Sequence, residues 1–245
     1  MKRTALIAGS IMLLLAATTT LSFAGPPGTG RPPNSFQFRI GGFLPDGGGT
    51  LWEENEEVFT LSSSDFDDVT VGVSFVKPIS NNFEIGLNVD FYDSTELSSY
   101  IDYGDEFGYA IYHDTTLEMV PLTVDFRFLP SGRYRMRPGG RQVLKPVLYL
   151  GGGAGVNFWQ YEEIGDFIDF SLPELPVFPG YFEDSGAAFE THVLAGVELP
   201  LAPNFNLLLE GRYSWSEETL SDDFEGLGEL NMDGLWISVG GSWRF

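Results

Sequence analysis

The residues from Gly234 to Phe245 alternate apolar side chains with small or polar ones at a period of two. One face carries Leu235, Ile237, Val239, Gly241, Trp243 and Phe245, and the other carries Trp236, Ser238, Gly240, Ser242 and Arg244. Successive side chains of a β-strand point to opposite faces of the sheet. An apolar row that ends in an aromatic is typical of a strand whose outer face contacts lipid. The segment therefore predicts a strand with lipid on one side and a polar interior on the other.

Seven further segments alternate in the same way, and the connections between the eight run long, short, long, moderate, long, short and long. The seven are Ser35–Phe43, Asp68–Lys77, Phe83–Tyr92, Thr116–Leu129, Pro146–Trp159, Ala187–Leu199 and Phe205–Trp215. Short turns on one side and long loops on the other are typical of outer-membrane barrels. A sheet in lipid must close, because an open edge would leave unpaired backbone groups. The sequence thus predicts an all-β fold, an eight-stranded antiparallel up-and-down transmembrane β-barrel.

Charge is sorted along the chain in a way that fits such a barrel. The four long connections hold most of the 35 acidic residues and no Lys or Arg, whereas the short connections are basic. An ionised group that faces hydrocarbon costs roughly 2–4 kcal/mol at the midplane, so charges within the strands should point inward. Eleven residues lie on the predicted inward face and form a predicted lumen charge network that plugs the interior: Arg39, Glu84, Asp90, Asp125, Arg127, Glu190, His192, Glu198, Glu210, Arg212 and Arg244.

The N-terminal residues predict export. Residues 1–24 combine a basic start, an apolar run and the small residues of Ser22-Phe23-Ala24, as in a cleavable signal peptide. Residues 25–34 form a Pro/Gly-rich linker, and residues 35–245 form the predicted outer-membrane barrel domain. Loss of Lys2 and Arg3 leaves 11 basic residues against 35 acidic ones, a balance that excludes ordinary nucleic-acid binding. The chain lacks cysteine, which excludes disulfides and thiolate metal sites.

Four stretches resemble the small bacterial outer-membrane β-barrel proteins, the family that includes OmpA transmembrane domains and OmpX- and OmpW-like proteins. They are Val120–Phe128, Lys145–Gly155, Ala195–Leu201 and Trp243–Phe245. The resemblance covers nearly all of the chain after the signal peptide, and its motifs specify architecture, not activity. It implies a bacterial outer-membrane location, contact with the lipid bilayer and lipopolysaccharide, and a monomer. It also implies that Trp243 and Phe245 act as a signal for the barrel-assembly machinery.

The acidic connections contain neighbouring carboxylates, for example Asp67-Asp68 and Glu162-Glu163. Such pairs could hold divalent cations, which take oxygen ligands, and could thereby bridge lipopolysaccharide phosphates. They could also attract a cationic partner, or form only a solvated, repulsive surface. None has EF-hand spacing, and we assign no metal site and no cofactor. The basic connection from Pro130 to Lys145 is expected near anionic headgroups of the inner leaflet.

Catalytic motifs are weak. His192 follows Glu190 at a spacing of two and is interpreted as a member of the lumen network. Neither histidine has a serine two residues away, and His113-Asp114 is a lone dipeptide. The run Gly151–Gly155 lacks the residues of a phosphate loop. We expect its glycines to leave room for arginines of neighbouring strands, or alternatively to open a small cavity.

The sequence therefore favours a non-enzymatic outer-membrane barrel with a structural or surface-binding role and a plugged lumen. A narrow channel for small solutes or ions is the first alternative, because a hydrated lumen could conduct. An outer-membrane enzyme that acts on lipid or peptide is the second. A soluble exported β-protein is the remaining alternative. No catalytic residue is assigned.

Overall fold

The computed structural model describes residues 33–136 and 142–245. Eight long strands form one antiparallel sheet in which each strand pairs with its neighbours in sequence. They are β1 (Ser35–Pro45), β2 (Asp68–Pro78), β3 (Phe83–Gly104), β4 (Ala110–Phe128), β5 (Val147–Ile168), β6 (Val177–Ala202), β7 (Phe205–Thr219) and β8 (Gly234–Arg244). The predicted signal peptide and most of the predicted linker lie outside the described residues.

The closing strand joins the two ends of the sheet. On one side β8 pairs with β1, from Ser35 opposite Arg244 to Pro45 opposite Gly234. On the other side it pairs with β7, with Gly234 opposite Ser214. Both edges of β8 are therefore hydrogen-bonded, and the sheet is a closed ring. The predicted eight-stranded up-and-down barrel is confirmed.

The outer surface of the ring is an apolar belt. Large apolar side chains that stay exposed occur on every strand, and they include Phe38, Val69, Ile85, Phe126, Leu148, Phe189, Val193, Leu209, Ile237 and Trp243. Apolar surface in water costs about 25 cal/mol per Å², so a belt of this extent is the surface of a barrel that faces lipid. Within the described ranges, no helix has the length and apolar character needed to cross a membrane.

Two of the four predicted long loops are mostly strand, so the predicted strand ends were wrong there. β3 continues to Gly104 and β4 begins at Ala110, while β5 continues to Ile168 and β6 begins at Val177. The alternation that marked the strands came from lipid-facing apolar residues. Just beyond the belt the outward face becomes polar, and this interrupts the alternation of apolar and polar residues. These extensions form a four-stranded sheet outside the belt, which we call the projecting sheet (residues 93–104, 110–119, 159–168 and 177–186).

The first long connection folds into the outer mouth of the barrel. It contains helix α1 (Thr50–Val58) and a 3-10 turn (Ser63–Phe66). Leu51 and Trp52 of α1 are buried, and Trp52 Nε1 donates a hydrogen bond to the backbone oxygen of Asn231, at 2.8 Å. The last long connection adds a 3-10 turn (Asp222–Phe224) and a short strand (Glu229–Asn231) that pairs with the end of β7.

An apolar cluster joins these connections to the inward side chains at the outer end of the barrel. Its buried members are Phe43, Leu51, Trp52, Leu61, Phe66, Tyr92, Leu117, Met119, Trp159, Tyr161, Ala188, Leu220, Phe224, Leu230, Met232 and Trp236. The sequence predicted a polar interior only. The outer end of the lumen is instead an apolar core, and α1 packs across it as a lid.

Candidate functional site

The middle of the lumen is a layer of arginines and carboxylates. Asp90 of β3 pairs with Arg39 at 2.8 Å and with Arg212 at 2.5 Å. Arg127 makes a two-point contact with Asp125, with Nε and Nη2 each 2.9 Å from a carboxylate oxygen. Opposite charges so close in a buried space can offset much of their desolvation cost, provided that hydrogen bonds satisfy the remaining polar atoms.

Glu210 links these two groups of ion pairs. It lies 3.6 Å from Arg39 Nη1 and 3.7 Å from Arg127 Nη2, and it accepts a hydrogen bond from Tyr149 Oη at 2.7 Å. The Arg212 guanidinium also lies over the Trp236 ring, 4.5 Å from its centroid. That contact joins the charged layer to the apolar cluster above it.

A second charged layer fills the inner end of the lumen, and its central cation was not predicted. Arg133 follows β4, and the residue is only 1% exposed. It contacts Glu84 through Nε at 2.5 Å and Glu198 through Nη1 at 2.9 Å. Arg244 also pairs with Glu198. The expectation that Arg133 faces lipid headgroups is therefore wrong, because two buried carboxylates draw it into the barrel.

The interior holds all eleven residues of the predicted lumen network, each at most 6% exposed. Nine of them take part in the ion pairs of the two layers, with Arg133 as an added partner. The remaining two, Glu190 and His192, stand apart at 3.7 Å from each other. The buried nitrogens of His192 have no hydrogen-bond partner in the described structure. Water is the simplest group to satisfy them.

The glycines of Gly151–Gly155 do not make room for arginines. A Cβ at Gly153 would lie 2.2 Å from the backbone oxygen of Val124 and 2.8 Å from His192 Cε1. These glycines therefore allow close approach to β4 and to His192. Room for the ion pairs comes from another position: a Cβ at Gly72 would lie 1.9 Å from Asp90 Oδ1. A side chain at position 72 would require the Asp90 carboxylate to shift.

Glu163 is a buried carboxylate in the apolar outer end of the lumen. Tyr161 Oη donates to Glu163 Oε1 at 2.8 Å, and Asn55 of the lid helix donates to Tyr161 Oη at 3.0 Å. Thr115 lies opposite Glu163 on β4. No ion pair joins Glu163 to a cation among the residues that the structure describes. Burial raises the pKa of Glu163 to about 7, against a smaller lowering by the Tyr161 hydrogen bond.

His113 is buried in the projecting sheet, and it does not meet Asp114. The two side chains point to opposite faces of β4. The partner of His113 Nε2 is Ser98 Oγ of β3 at 2.9 Å, a neighbour that spacing along one strand cannot reveal. Phe59 and Phe167 pack against the ring, and Nδ1 has no hydrogen-bond partner in the described structure. Burial lowers the pKa of His113 to about 4, against a smaller raising by the Asp114 charge, so the imidazole is neutral near pH 7. Among the described residues, its hydrogen-bond partner is a serine and not a carboxylate.

The acidic pairs do not converge into a cation site. Glu162 and Glu163, for example, point to opposite faces of β5. Across the described ranges, no group of three or more His, Asp or Glu side chains is placed to hold a metal ion. The aromatic residues of the β5–β6 hairpin divide between two environments. Phe167 is buried and Phe182 partly buried, whereas Phe170 and Tyr181 are exposed.

Solved structures of similar architecture include outer-membrane and surface proteins of several bacteria. The Neisserial surface protein A matches with 13% identity, a TM-score of 0.46 and coverage of 86% of this chain and 97% of that one. The outer membrane protein OprG from Pseudomonas aeruginosa matches with 12% identity, a TM-score of 0.49 and coverage of 88% and 98%. A major outer membrane protein from Thermus thermophilus matches with 15% identity, a TM-score of 0.49 and coverage of 86% and 99%.

The chain is similar to small bacterial outer-membrane proteins. No protein-family model matches its sequence, and no curated protein matches it either. At these identities the likeness concerns architecture alone, and the fold assignment rests on the strand register of this chain.

Sequence reasoning missed the neutral groups that complete the lumen. Gln37 donates to Glu198 and accepts from Arg127 at 3.1 Å, and Asn206 donates to Glu198 at 2.7 Å. Their inward position follows from the alternation of β1 and β7, so the signal was present. Arg133 had no such signal, because it lies outside the alternating segments.

Proposed function

We propose that this chain is a bacterial outer-membrane β-barrel protein with a closed lumen and a structural or surface-binding role. The observation that carries the proposal is the combination of an exposed apolar belt with an interior filled by paired charges. A barrel of this kind is stable in a membrane and unfavourable in water. The projecting sheet then lies outside the membrane, where it is available to partners.

Three successive layers support a closed lumen. The inner layer contains Arg133, Glu84 and Glu198, the middle layer contains the Asp90 and Asp125 ion pairs, and the outer layer is the apolar cluster under α1. An eight-stranded barrel has an interior just wide enough for side chains to fill. An ion that crossed this lumen would have to displace every layer in turn.

A narrow channel is the second candidate, and one observation favours it. A small polar cavity lies between the middle layer and the apolar cluster, lined by Arg39, Thr70, Asp90, Glu210, Arg212 and Trp236. Together with the unpartnered nitrogens of His192, it gives water places to sit inside the barrel. Rearrangement of the ion pairs around such water could open a path.

Single-channel recording in planar bilayers tests the proposal. The purified chain, without the predicted signal peptide, is inserted at high salt, and insertion is verified by recovery of folded protein from the bilayer lipids. We expect no steady conductance steps. Regular steps from the folded protein would overturn the closed lumen and favour the channel. Recovery in the soluble fraction after carbonate extraction of bacterial membranes would overturn the membrane location itself.

A further inference from the structure

The outward face of the projecting sheet carries a second apolar surface. The register places Leu97 beside Asp114, Asp114 beside Ile164, and Ile164 beside Tyr181, in one row across four strands. Tyr112 is the next outward residue on β4. We call these five residues the outer patch. Leu97 is 64% exposed, Tyr112 54%, Ile164 47% and Tyr181 52%.

Two polar rows separate the outer patch from the lipid-facing belt. The first row contains Asp93, Glu118, Gln160 and Ser185, and the second contains Thr95, Thr116, Glu162 and Glu183. In the second row the hydroxyls of Thr95 and Thr116 are 2.8 Å apart, within hydrogen-bond distance. Leu97 lies six positions along β3 from Phe91 of the belt, which is roughly 20 Å of strand. Because the carboxylates of both rows are costly in hydrocarbon, the outer patch lies outside the membrane and is not part of the belt.

Every ionised group around the outer patch is acidic. Residues 93–119 and 159–186 contain 14 Asp and Glu residues and no Lys or Arg. Some of these carboxylates are held beside the apolar side chains: Tyr181 Oη donates to Glu183 Oε2 at 2.7 Å, and Glu162 Oε1 lies 3.3 Å from the same hydroxyl. Apolar area attracts partners of any charge, whereas the surrounding carboxylates select among them.

This charge pattern decides which occupant fits. A second copy of the chain would bring its own carboxylates against these, and like charges in contact are repelled. Nucleic acids and phosphate-rich lipid headgroups are rejected for the same reason. A segment that alternates Lys or Arg with aromatic or aliphatic residues complements both the carboxylates and the apolar side chains. Its cations can pair with Asp114, Glu162 and Glu183, while its apolar groups cover the outer patch.

We propose that the outer patch is a docking surface for a cationic polypeptide that carries apolar side chains. The inference rests on the proposed function, because it requires the projecting sheet to lie outside the membrane. It adds the chemical class of the partner and the residues that select it. Electrostatic attraction accelerates the encounter, and the patch provides the short-range contact that holds the complex.

The first test compares three synthetic peptides of 12 residues. One alternates Lys with Trp, one alternates Lys with Ser, and one alternates Glu with Trp. The full chain is placed in nanodiscs of zwitterionic phosphatidylcholine, and binding is measured by biolayer interferometry, with the signal of empty nanodiscs subtracted. We expect the Lys/Trp peptide to bind at least about tenfold more tightly than either comparator, a difference of about 1.4 kcal/mol. Equal binding of the Lys/Ser peptide, or of the Glu/Trp peptide, would overturn the proposal.

The second test maps the binding to the outer patch. The pair Leu97→Ser/Ile164→Ser should weaken binding of the Lys/Trp peptide by about tenfold. The matched control, Phe107→Ser/Leu172→Ser, alters exposed apolar residues at the hairpin tips and should leave binding within about twofold. The proposal fails if both pairs weaken binding equally, or if neither does.

The contribution of charge is mapped in the same way. The pair Asp114→Asn/Glu183→Gln should weaken binding and flatten its dependence on salt. The control Glu54→Gln/Glu57→Gln removes the same charge from the exposed face of α1. Equal losses in the two variants would indicate a diffuse acidic field and would overturn a defined docking surface.

Footprinting of the unmodified protein keeps the proposal testable if a variant does not fold. In hydroxyl-radical footprinting, the Lys/Trp peptide should protect Tyr112 and Tyr181 but not Tyr109, which is 71% exposed near the hairpin tip. Absence of protection at Tyr112 and Tyr181 would overturn the proposal. The two experiments test different proposals. Channel conductance would overturn the closed lumen alone. Peptide binding that does not change when the outer patch is altered would overturn the docking surface alone.

Discussion

Arg133 shows how one side chain outside the strands can complete the interior. Its guanidinium is the only cation in direct contact with Glu84 among the described residues, whereas Glu198 also contacts Arg244 and Asn206. Removal of one partner from a buried ion pair leaves an uncompensated charge. This destabilises the protein more than replacement of both partners by apolar residues does. The inner layer therefore depends on a residue from the turn.

Arg133→Met should destabilise the folded barrel by about 3–5 kcal/mol, because Glu84 is then buried without a cation. The measurement is the urea midpoint of unfolding in detergent. Lys77→Met is the control, since Lys77 is exposed at the same end and forms no ion pair among the described residues. The double variant Arg133→Met/Glu84→Gln should recover part of the loss. A loss no greater than that of Lys77→Met would contradict the role of Arg133.

Glu163 predicts a dependence of stability on pH. Its pKa is about 7 in the folded protein and about 4.5 without the fold, so between these values the folded state holds a proton that the unfolded state has released. The contribution of Glu163 to the free energy of unfolding must then fall as pH rises from about 4.5 to about 7, by a total of about 3 kcal/mol. The lowered pKa of His113 contributes a change of the opposite sign below about pH 6.5, so the Glu163 contribution is isolated by comparison with a variant. The groups that face Glu163 are the Tyr161 hydroxyl, Thr115 across the sheet and, through Tyr161, Asn55.

Glu163→Gln should remove this contribution, so the difference in unfolding free energy between variant and wild type should grow in favour of the variant as pH rises from about 4.5 to about 7, and the variant should be the more stable at pH 8. Urea unfolding at a series of pH values from 4.5 to 8.5 measures it. Glu162→Gln, on the outward face of the same strand, is the control and should retain the wild-type slope. An identical slope in wild type and Glu163→Gln would show that other groups produce the dependence.

At the scale of elements, a small number of contacts made by Trp52 hold α1 in the outer mouth of the barrel. Trp52 packs against Phe66 at 5.2 Å and against Tyr161 at 6.5 Å between ring centroids, and its indole donates to Asn231. The helix itself is short, and Gly49 before it provides no side-chain hydrogen bond at its N-terminus. Helices of this length depend on tertiary packing for their stability.

Trp52→Ala should release α1 without unfolding the barrel. Loss of a buried Trp costs about 3–5 kcal/mol locally, more than a nine-residue helix can offset. A protease specific for Glu then gains access to Glu53, Glu54, Glu56 and Glu57, while heat-modifiable gel migration shows that the barrel stays folded. Trp215→Ala, which alters an exposed tryptophan, should stay resistant. Equal resistance of both variants would contradict the lid.

The same elements show why strand ends could be predicted only in part. Alternation located all eight strands because their outward faces are apolar within the belt. It failed for β3 to β6 above the belt, where Asp93, Thr95 and Glu162 face water and the polar residues look like a loop. The fold of α1 into the mouth depends on distant partners such as Asn231 and Tyr161. No local pattern reports those contacts.

At the scale of the whole molecule, closure was the most predictable property. Eight alternating strands in lipid must form a ring, and the inward residues of each strand then predict which side chains lie in the lumen. The pairing among them was not predictable, because it depends on which strands face each other across the barrel. Asp90 of β3 meets Arg212 of β7, for example, although these strands do not pair with each other.

We expect Phe245 to matter for assembly more than for the stability of the finished barrel. In the structure its backbone N–H donates to the oxygen of Asn34 at 3.0 Å, and its ring lies 6.4 Å from that of Phe75. One such hydrogen bond contributes about 1 kcal/mol. Deletion of Phe245 should therefore lower the urea stability of refolded protein only slightly.

The amount that reaches the outer membrane of living cells should fall by more than that stability loss explains, since we propose that Trp243 and Phe245 are read by the assembly machinery. Membrane fractionation with quantitative blotting measures this yield. Phe75→Ala removes the same ring contact from the other side and should keep a normal yield, because it leaves the terminal aromatic in place. If deletion of Phe245 and Phe75→Ala reduce the yield equally, the aromatic serves the fold alone and the assembly role is wrong.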